Sequence, residues 1–359
     1  MPADLVCSTC DRTYADRWRC RCGEPLEFAS TPRPDGPAPP FSAFDSRRGL
    51  WAFEAFLPVA RGVTLGEGFT PLVDADEWNA TFKLEYVSPT GSFKDRGAAT
   101  VVSRAIECGA DRVIEDSSGN AGAAIAAYAA RAGLDADIYV PASVADAKRR
   151  AIEAVGARVV AVEGDREAVA EACRSAVEGE TPRGGGDGWY ASHAWNPAFF
   201  AGTATFGLEL GAQRDWSVPD AVVVPLGHGT LLLGAYRGFR ALVDAGWTES
   251  MPRLLAVQAA GYAPVADDAG PATNDLADGI QVRDPVRRAE VVDAIDATDG
   301  DAVTVSTDGV RRAHTGLREE GFDVEPTAAA AVAGLRRYRR QGVLDADADV
   351  VVPLTGRGK

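Results

Sequence analysis

The sequence predicts an α/β fold in which parallel sheets are covered by helices, and two observations carry that expectation. From about residue 81 onward, short apolar runs alternate with longer stretches of helical period. Glycine-rich turns recur where an apolar run hands over to a helix, as in repeated β-α units.

Taken in order, TFKLEY (81–86) reads as a strand, followed by a helix from about 93 to 108. DRVIED (111–116) is the next strand, and AGAAIAAYAARAG (121–133) a helix ending at Gly133. ADIYV (136–140), a helix carrying DAKRRAIEAVG (146–156), strand ARVVAVE (157–163) and a helix from about 165 to 178 continue the alternation. DGWYAS (187–192) closes this block. FFAGTATFGLELGAQ (199–213) then reads as a helix, and residues 220–242 as strand, loop and helix. Strands RLLAVQA (253–259) and AVTVS (302–306), helices near 307–320 and 326–340, and strand DVVVPLT (349–355) complete a second α/β layer.

The expected organisation is a cysteine-bearing segment over 1–28, a proline-rich linker over 29–40, a large domain from 41–92 and 195–359, and a small α/β domain over 93–194. Five prolines in STPRPDGPAPP (30–40) argue for extended chain in the linker. The length of 359 residues suffices for two domains with their own cores. A formal charge of −15 argues against nucleic acid, whose phosphates need a basic surface. No apolar run approaches a membrane span and no signal segment opens the chain, so the expectation is a cytoplasmic protein. Only four lysines, at 83, 94, 148 and 359, stand against thirty-three arginines. An acidic, lysine-poor surface of this kind suits a halophile-like, high-salt interior.

Cys7 and Cys10 are spaced C-x2-C, Cys20 and Cys22 C-x-C with Gly23 following. Two such knuckles offer four thiolates to a tetrahedral Zn²⁺, and a segment this short needs such a staple. Disulfides are the alternative, disfavoured in a reducing compartment. Cys108 and Cys173 fall on apolar helical faces and read as core.

Lys94 follows Gly91 and directly precedes a helix, where its charge would face the positive end of the helix dipole. That placement suits an amine held neutral or tied up as an imine, aimed into a cleft. SSGNAG (117–122) again joins strand to helix, with Asn120 offering a side-chain donor. In PLGHGTLLLG (225–234), Gly227 and Gly229 let backbone N–H groups converge on an anion at a helix N-terminus. Neither loop matches the dinucleotide fingerprint or the P-loop. The terminal TGRGK puts Thr355 at the carboxyl edge of the last strand.

LGEGFTPL (65–72), GSFKDRG (91–97), SSGNAG, PLGHGTLLLG, EPTAAAAVAGL (325–335) and TGRGK resemble, in that order, the motifs of fold type II pyridoxal-phosphate enzymes. Within them the sequence is most similar to the threonine synthase family, whose members often carry an N-terminal cysteine knuckle. The resemblance implies two doubly wound α/β domains, a small amino-acid substrate and a homodimer. It implies that Lys94 joins the cofactor aldehyde as an imine and then moves protons at the substrate α and β carbons. Asn120 would bond the cofactor's 3′ oxygen, and Gly227, His228, Gly229, Thr230 and Leu231 would cradle its phosphate. Thr355 would face the pyridine nitrogen, a neutral partner that favours elimination and replacement. Ser117 and Ser118 would grip the substrate carboxylate, with TLGEGFT (64–70) closing from the other side. The implied reaction turns O-phospho-L-homoserine and water into L-threonine and phosphate.

One segment departs from the family pattern N-P-x-R-x-x-G-Q-K-T. In NPAFFAGTAT (196–205) Phe199 takes the Arg position and Ala204 the Lys position, removing two cations suited to a substrate phosphate. Either Arg149, Arg150 or Thr203 replaces them, or the enzyme performs β-elimination or β-replacement on another amino acid. His228 stands equally for a backbone donor or a catalytic group. His193 and His314 read as lone histidines of surface or core.

Overall fold

Alternation of apolar runs with helical periods translates directly into strands and helices in the computed structural model, which describes residues 2–179, 188–266 and 272–358. The cysteine segment carries β1 (Leu5–Val6), β2 (Thr13–Tyr14) and β3 (Glu27–Phe28). The chain continues through β4 (Leu72–Ala75), β5 (Ala80–Lys83), α1 (Lys94–Glu107), β6 (Arg112–Glu115) and α2 (Asn120–Ala132). Then come β7 (Asp135–Pro141), α3 (Asp146–Glu153), β8 (Arg158–Val162), α4 (Arg166–Glu178), β9 (Trp189–Tyr190) and α5 (Pro197–Gln213). The rest is β10 (Ala221–Pro225), α6 (Thr230–Asp244), β11 (Arg253–Ala259), α7 (Arg288–Asp296) and β12 (Asp301–Val305). It ends with α8 (Thr307–Glu319), α9 (Pro326–Arg340) and β13 (Val350–Pro353).

Two units share these elements: residues 1–33, 47–67 and 94–202 form one, and 34–46, 68–93 and 203–359 the other. The chain passes between them five times, the last two at the Phe93–Lys94 peptide and within α5.

In the first unit the sheet order is β8-β7-β6-β9, all parallel. Each connection is a helix, so the apolar faces of α1 and α2 close over the sheet around Val101, Ile125, Tyr128 and Ile138. The helix ending at Gly133 does so because that residue adopts φ 73°, letting its N–H reach back to Ala129 and Ala130. The small antiparallel sheet β2-β1-β3 belongs to the same unit. It is fastened by Arg104, almost fully buried in α1, whose guanidinium donates to the carbonyls of Ala3 (2.8 Å) and Ala15 (2.9 Å). Trp18 stands edge-on against both Tyr190 and Trp195.

In the second unit the order is β12-β11-β10-β13-β5-β4, parallel except for β4 against β5. Alanine-rich α9 packs on it through Ala328 to Ala331, and Tyr338 donates to the Ala256 carbonyl (2.6 Å). The proline-rich stretch is extended but held: Gly36 and Pro39 accept hydrogen bonds from the indoles of Trp247 (3.1 Å) and Trp216 (2.8 Å). β4 and α7 have no counterpart in the sequence-based expectation, β4 being a four-residue edge strand and α7 a nine-residue helix. Among the described residues no helix is long and apolar enough to cross a membrane. Asp187 and Lys359, in the expected DGWYAS and TGRGK stretches, lie outside the described residues.

Candidate active site

The first unit holds Lys94, Ser117, Ser118 and Asn120. Lys94 is the first residue of α1 and half-buried, with Nζ 5.7 Å from the centroid of the Phe199 ring. Phe199 is fully buried because Gly97 has no side chain; a Cβ there would meet the ring at 2.3 Å. Asn120 opens α2, and Ser117, Ser118 and Asn120 are all half-buried. The loop folds tightly onto the helix because position 122 is glycine: a Cβ would lie 1.8 Å from the Ser117 carbonyl oxygen. Glu67, from the LGEGF stretch, is wholly buried and accepts from Trp51 Nε1 (3.1 Å), the Tyr128 hydroxyl (2.8 Å) and the Leu65 N–H (2.9 Å). Burial nevertheless raises its carboxyl above the usual range.

The second unit holds the 227–231 loop and Thr355. Strand β10 ends at Pro225 and the loop turns into α6 at Gly229, whose φ of 82° is the left-handed region. The first N–H groups of a fifteen-residue helix follow, the donors a phosphate requires. Thr355 follows β13, is 2% exposed, and its Oγ1 meets no hydrogen-bond partner among the described residues. A buried hydroxyl left unsatisfied is costly, so this atom marks a place for a ligand group. Its carbonyl accepts the N–H of Phe93 (3.1 Å), the residue before Lys94 in the chain. Gly91 turns with φ 91° just ahead of it, and its carbonyl accepts from Arg357 N–H (2.9 Å).

Of the three residues expected to replace the missing cations, Arg150 is exposed, and the other two have these surroundings. The Thr203 hydroxyl donates to the Thr230 carbonyl (2.9 Å) and is buried, and Arg149 lies 3.8 Å from Glu153 along α3. Ala204 turns its carbonyl toward α6, where a Cβ on Gly238 would meet it at 2.1 Å.

His193 corrects the sequence-based expectation of a lone histidine. Its Nδ1 lies 2.6 Å from Oε1 of Glu115, and its N–H donates to Oε2 of the same carboxyl (3.3 Å). Asp116 adds a third group, the three side chains placing one heteroatom each within 4.8 Å of one another. Burial, opposed by the charge of Lys94, pushes Glu115 up to about 8. Burial and the neighbouring Glu115 push Asp116 up to about 6. Burial and Lys94 hold His193 well below its ordinary range. Glu115 ends β6 and Asp116 follows it, so a pair of acids at the end of an apolar parallel strand was the available signal. His314 donates to or accepts from nothing catalytic; its Nε2 sits 2.8 Å from the Val324 carbonyl.

At the N-terminal sheet, Cys7 and Cys22 Sγ lie 3.6 Å apart, Cys10 and Cys20 3.4 Å, and Cys10 and Cys22 3.7 Å. All six cysteines are free thiols, and these four thiols lie within 4.8 Å of one another. A tetrahedron with Zn–S bonds of about 2.3 Å has edges of about 3.8 Å, close to this spacing. Cys173 is buried as expected, whereas Cys108 is only half-buried.

Residues 63–356 match the family described as pyridoxal-phosphate dependent enzyme. Threonine synthase of Methanosarcina acetivorans is 34% identical over 326 residues, covering 86% of this chain and 79% of that protein. Threonine synthase of Methanocaldococcus jannaschii is 30% identical, covering 98% of this chain and 91% of the relative. Among solved structures, maize serine racemase superposes with a TM-score of 0.68 at 22% identity, over 81% of this chain and 88% of that one. The L-serine ammonia-lyase of Rhizomucor miehei gives 0.67 at 23%, over 80% and 93%; at such identity the likeness concerns the fold.

Proposed function

Because this chain belongs to the pyridoxal-phosphate dependent enzymes and, within them, to the threonine synthases, we propose that it converts O-phospho-L-homoserine and water into L-threonine and phosphate. The observation that carries the cofactor reading is the buried hydroxyl of Thr355, without a hydrogen-bond partner among the described residues, which fits a ring nitrogen in need of a neutral partner. When bound, the cofactor supplies an electron sink for the charge released at the substrate α-carbon. The loop from Gly227 through His228, Gly229 and Thr230 to Leu231 holds its phosphate with backbone N–H groups at the start of α6. Asn120 holds the ring oxygen, and Ser117 and Ser118 hold the substrate carboxylate. Lys94 carries the cofactor and moves the protons, first from the α-carbon and then at the β-carbon. Lys94 stands at the head of α1, the first turn of which holds the base of its side chain.

The absence of cations at Phe199 and Ala204 favours a second reading: elimination or replacement at the β-carbon of serine, threonine or a similar amino acid. One assay separates them. Phosphate released from O-phosphohomoserine supports the first; keto acid from threonine or serine, with no phosphate, replaces it by the second. Lys94→Ala is expected to remove the visible absorption band of the bound cofactor and to lower turnover by about 10³-fold or more. A band and activity retained in that variant would overturn both. We further propose that Cys7, Cys10, Cys20 and Cys22 hold a structural Zn²⁺, supported by the spacing of their sulfurs. Metal analysis should find about one zinc per chain, and none after Cys10→Ser with Cys20→Ser.

A further inference from the structure

Outside the expected cofactor contacts, the first unit buries a second set of chemically active groups that the mechanism above leaves unused. Glu115 is fully buried and His193 is 9% exposed, and the two share a 2.6 Å contact. Phe199 is a common neighbour of this pair and of the catalytic amine: its ring centroid lies 6.1 Å from that of His193 and 5.7 Å from Lys94 Nζ. Phe199 is also the position at which the family pattern has an arginine. In this chain, the neighbourhood where the family pattern has a cation holds an aromatic ring and a buried acid–imidazole pair.

A phosphate dianion that leaves carbon takes the bonding electron pair and becomes a strongly basic trianion. Fixed cations can stabilise that charge; without them the departing oxygen must take up a proton. We propose that His193, positioned by Glu115, donates that proton to the oxygen leaving the substrate, in place of the cations absent at positions 199 and 204. The bond between the γ-carbon and oxygen breaks, its electron pair stays on oxygen, and the proton passes from the imidazole to that oxygen. Glu115 shares its own proton with His193, and the pair recovers one proton from the water whose oxygen adds at the β-carbon. Substrate and water therefore balance product and phosphate with no other reactant. This inference rests on the proposed reaction.

The electrostatics agree. Burial keeps Glu115 protonated up to about 8, so the pair holds one movable proton at neutral pH. The groups around it are Lys94 on α1, Asp116 beside Glu115, Tyr190 on β9, Cys173 on α4 and Arg166 at the start of α4. Asp116 Oδ1 has no hydrogen-bond partner among the described residues.

The test compares leaving groups that need a proton with one that does not. With O-phosphohomoserine, His193→Asn is expected to lower kcat about 100-fold or more, while 2-amino-4-chlorobutanoate, whose chloride leaves without a proton, loses less than about 3-fold. The cofactor absorption band should be unchanged. Wild type is expected to lose kcat as pH rises through about 8, and Glu115→Gln, which keeps the shape but holds no acidic proton, should abolish that dependence. Equal losses on both substrates, or an unchanged pH profile in Glu115→Gln, would overturn the inference. If wild type releases no phosphate, the proposed reaction falls by itself. The same contrast is then read between threonine and 3-chloroalanine: a selective loss on threonine upholds the pair's role, an equal loss ends it.

Discussion

Each unit places one lysine among carboxylates, and the two surroundings are built differently. In the second unit Lys83 is wholly buried and its three donors meet Glu209 Oε1 (2.6 Å), Gln213 Oε1 (2.8 Å) and the Thr70 carbonyl (3.1 Å). Glu209 in turn accepts from the N–H groups of Phe69 (2.7 Å) and Thr70 (2.9 Å). This network is saturated, and a saturated buried ion pair has little left to offer a ligand. In the first unit Lys94 lies at a half-buried helix start near Glu115, His193 and Asp116, where acids are forced up and a histidine down. Perturbed groups with an unmatched oxygen mark a place where chemistry is done. Hydrogen-bond satisfaction, rather than burial of charge, distinguishes the two.

The largest effect that would break this comparison comes from Lys83→Met. It strands the Glu209 carboxylate in the core and should cost about 3–5 kcal/mol of stability, read by denaturant unfolding, while surviving folded protein keeps its cofactor band. Loss of the band at full stability would show that Lys83 also serves the site. Adding Glu209→Leu to that variant removes the stranded charge and should recover part of the loss; a purely additive double variant would contradict the closed-network reading.

A smaller effect sharpens the other half. Glu115 is protonated in the folded chain up to about 8 but ionises near 4.5 when unfolded, so folding takes up a proton between those values. Its contribution is complete below 4.5 and is lost as pH rises toward 8. Between pH 6.5 and 8, above the range of Asp116, unfolding free energy should fall with a slope of up to about 1.4 kcal/mol per pH unit. In Glu115→Gln that slope should flatten. An equal slope in both proteins would mean that Glu115 ionises normally.

Much of the candidate site is read from local signals. Lys94 after a positive-φ glycine, Asn120 at the head of α2 and the 227–231 loop opening α6 each need only a short stretch of chain to be recognised. The four cysteines were legible for the same reason, their spacing being set by two short knuckles. Glu115 and His193 were not, since they are far apart in sequence and meet only when the 190–196 segment runs beside β6. The bond from the Thr203 hydroxyl to the Thr230 carbonyl was not legible either, because it joins two helices that no local pattern brings together.

The sequence by itself determined the alternation of strands and helices and the turn chemistry that presents lysine, asparagine and backbone donors. Apolar periodicity and glycine positions are properties of neighbouring residues. Tertiary structure alone decided which polar groups are satisfied: Lys83 became an inert core charge, Thr355 kept an unspent hydroxyl, and His193 acquired an acid. Satisfaction depends on partners brought in from distant parts of the chain, and in a low-dielectric interior those partners set both stability and protonation.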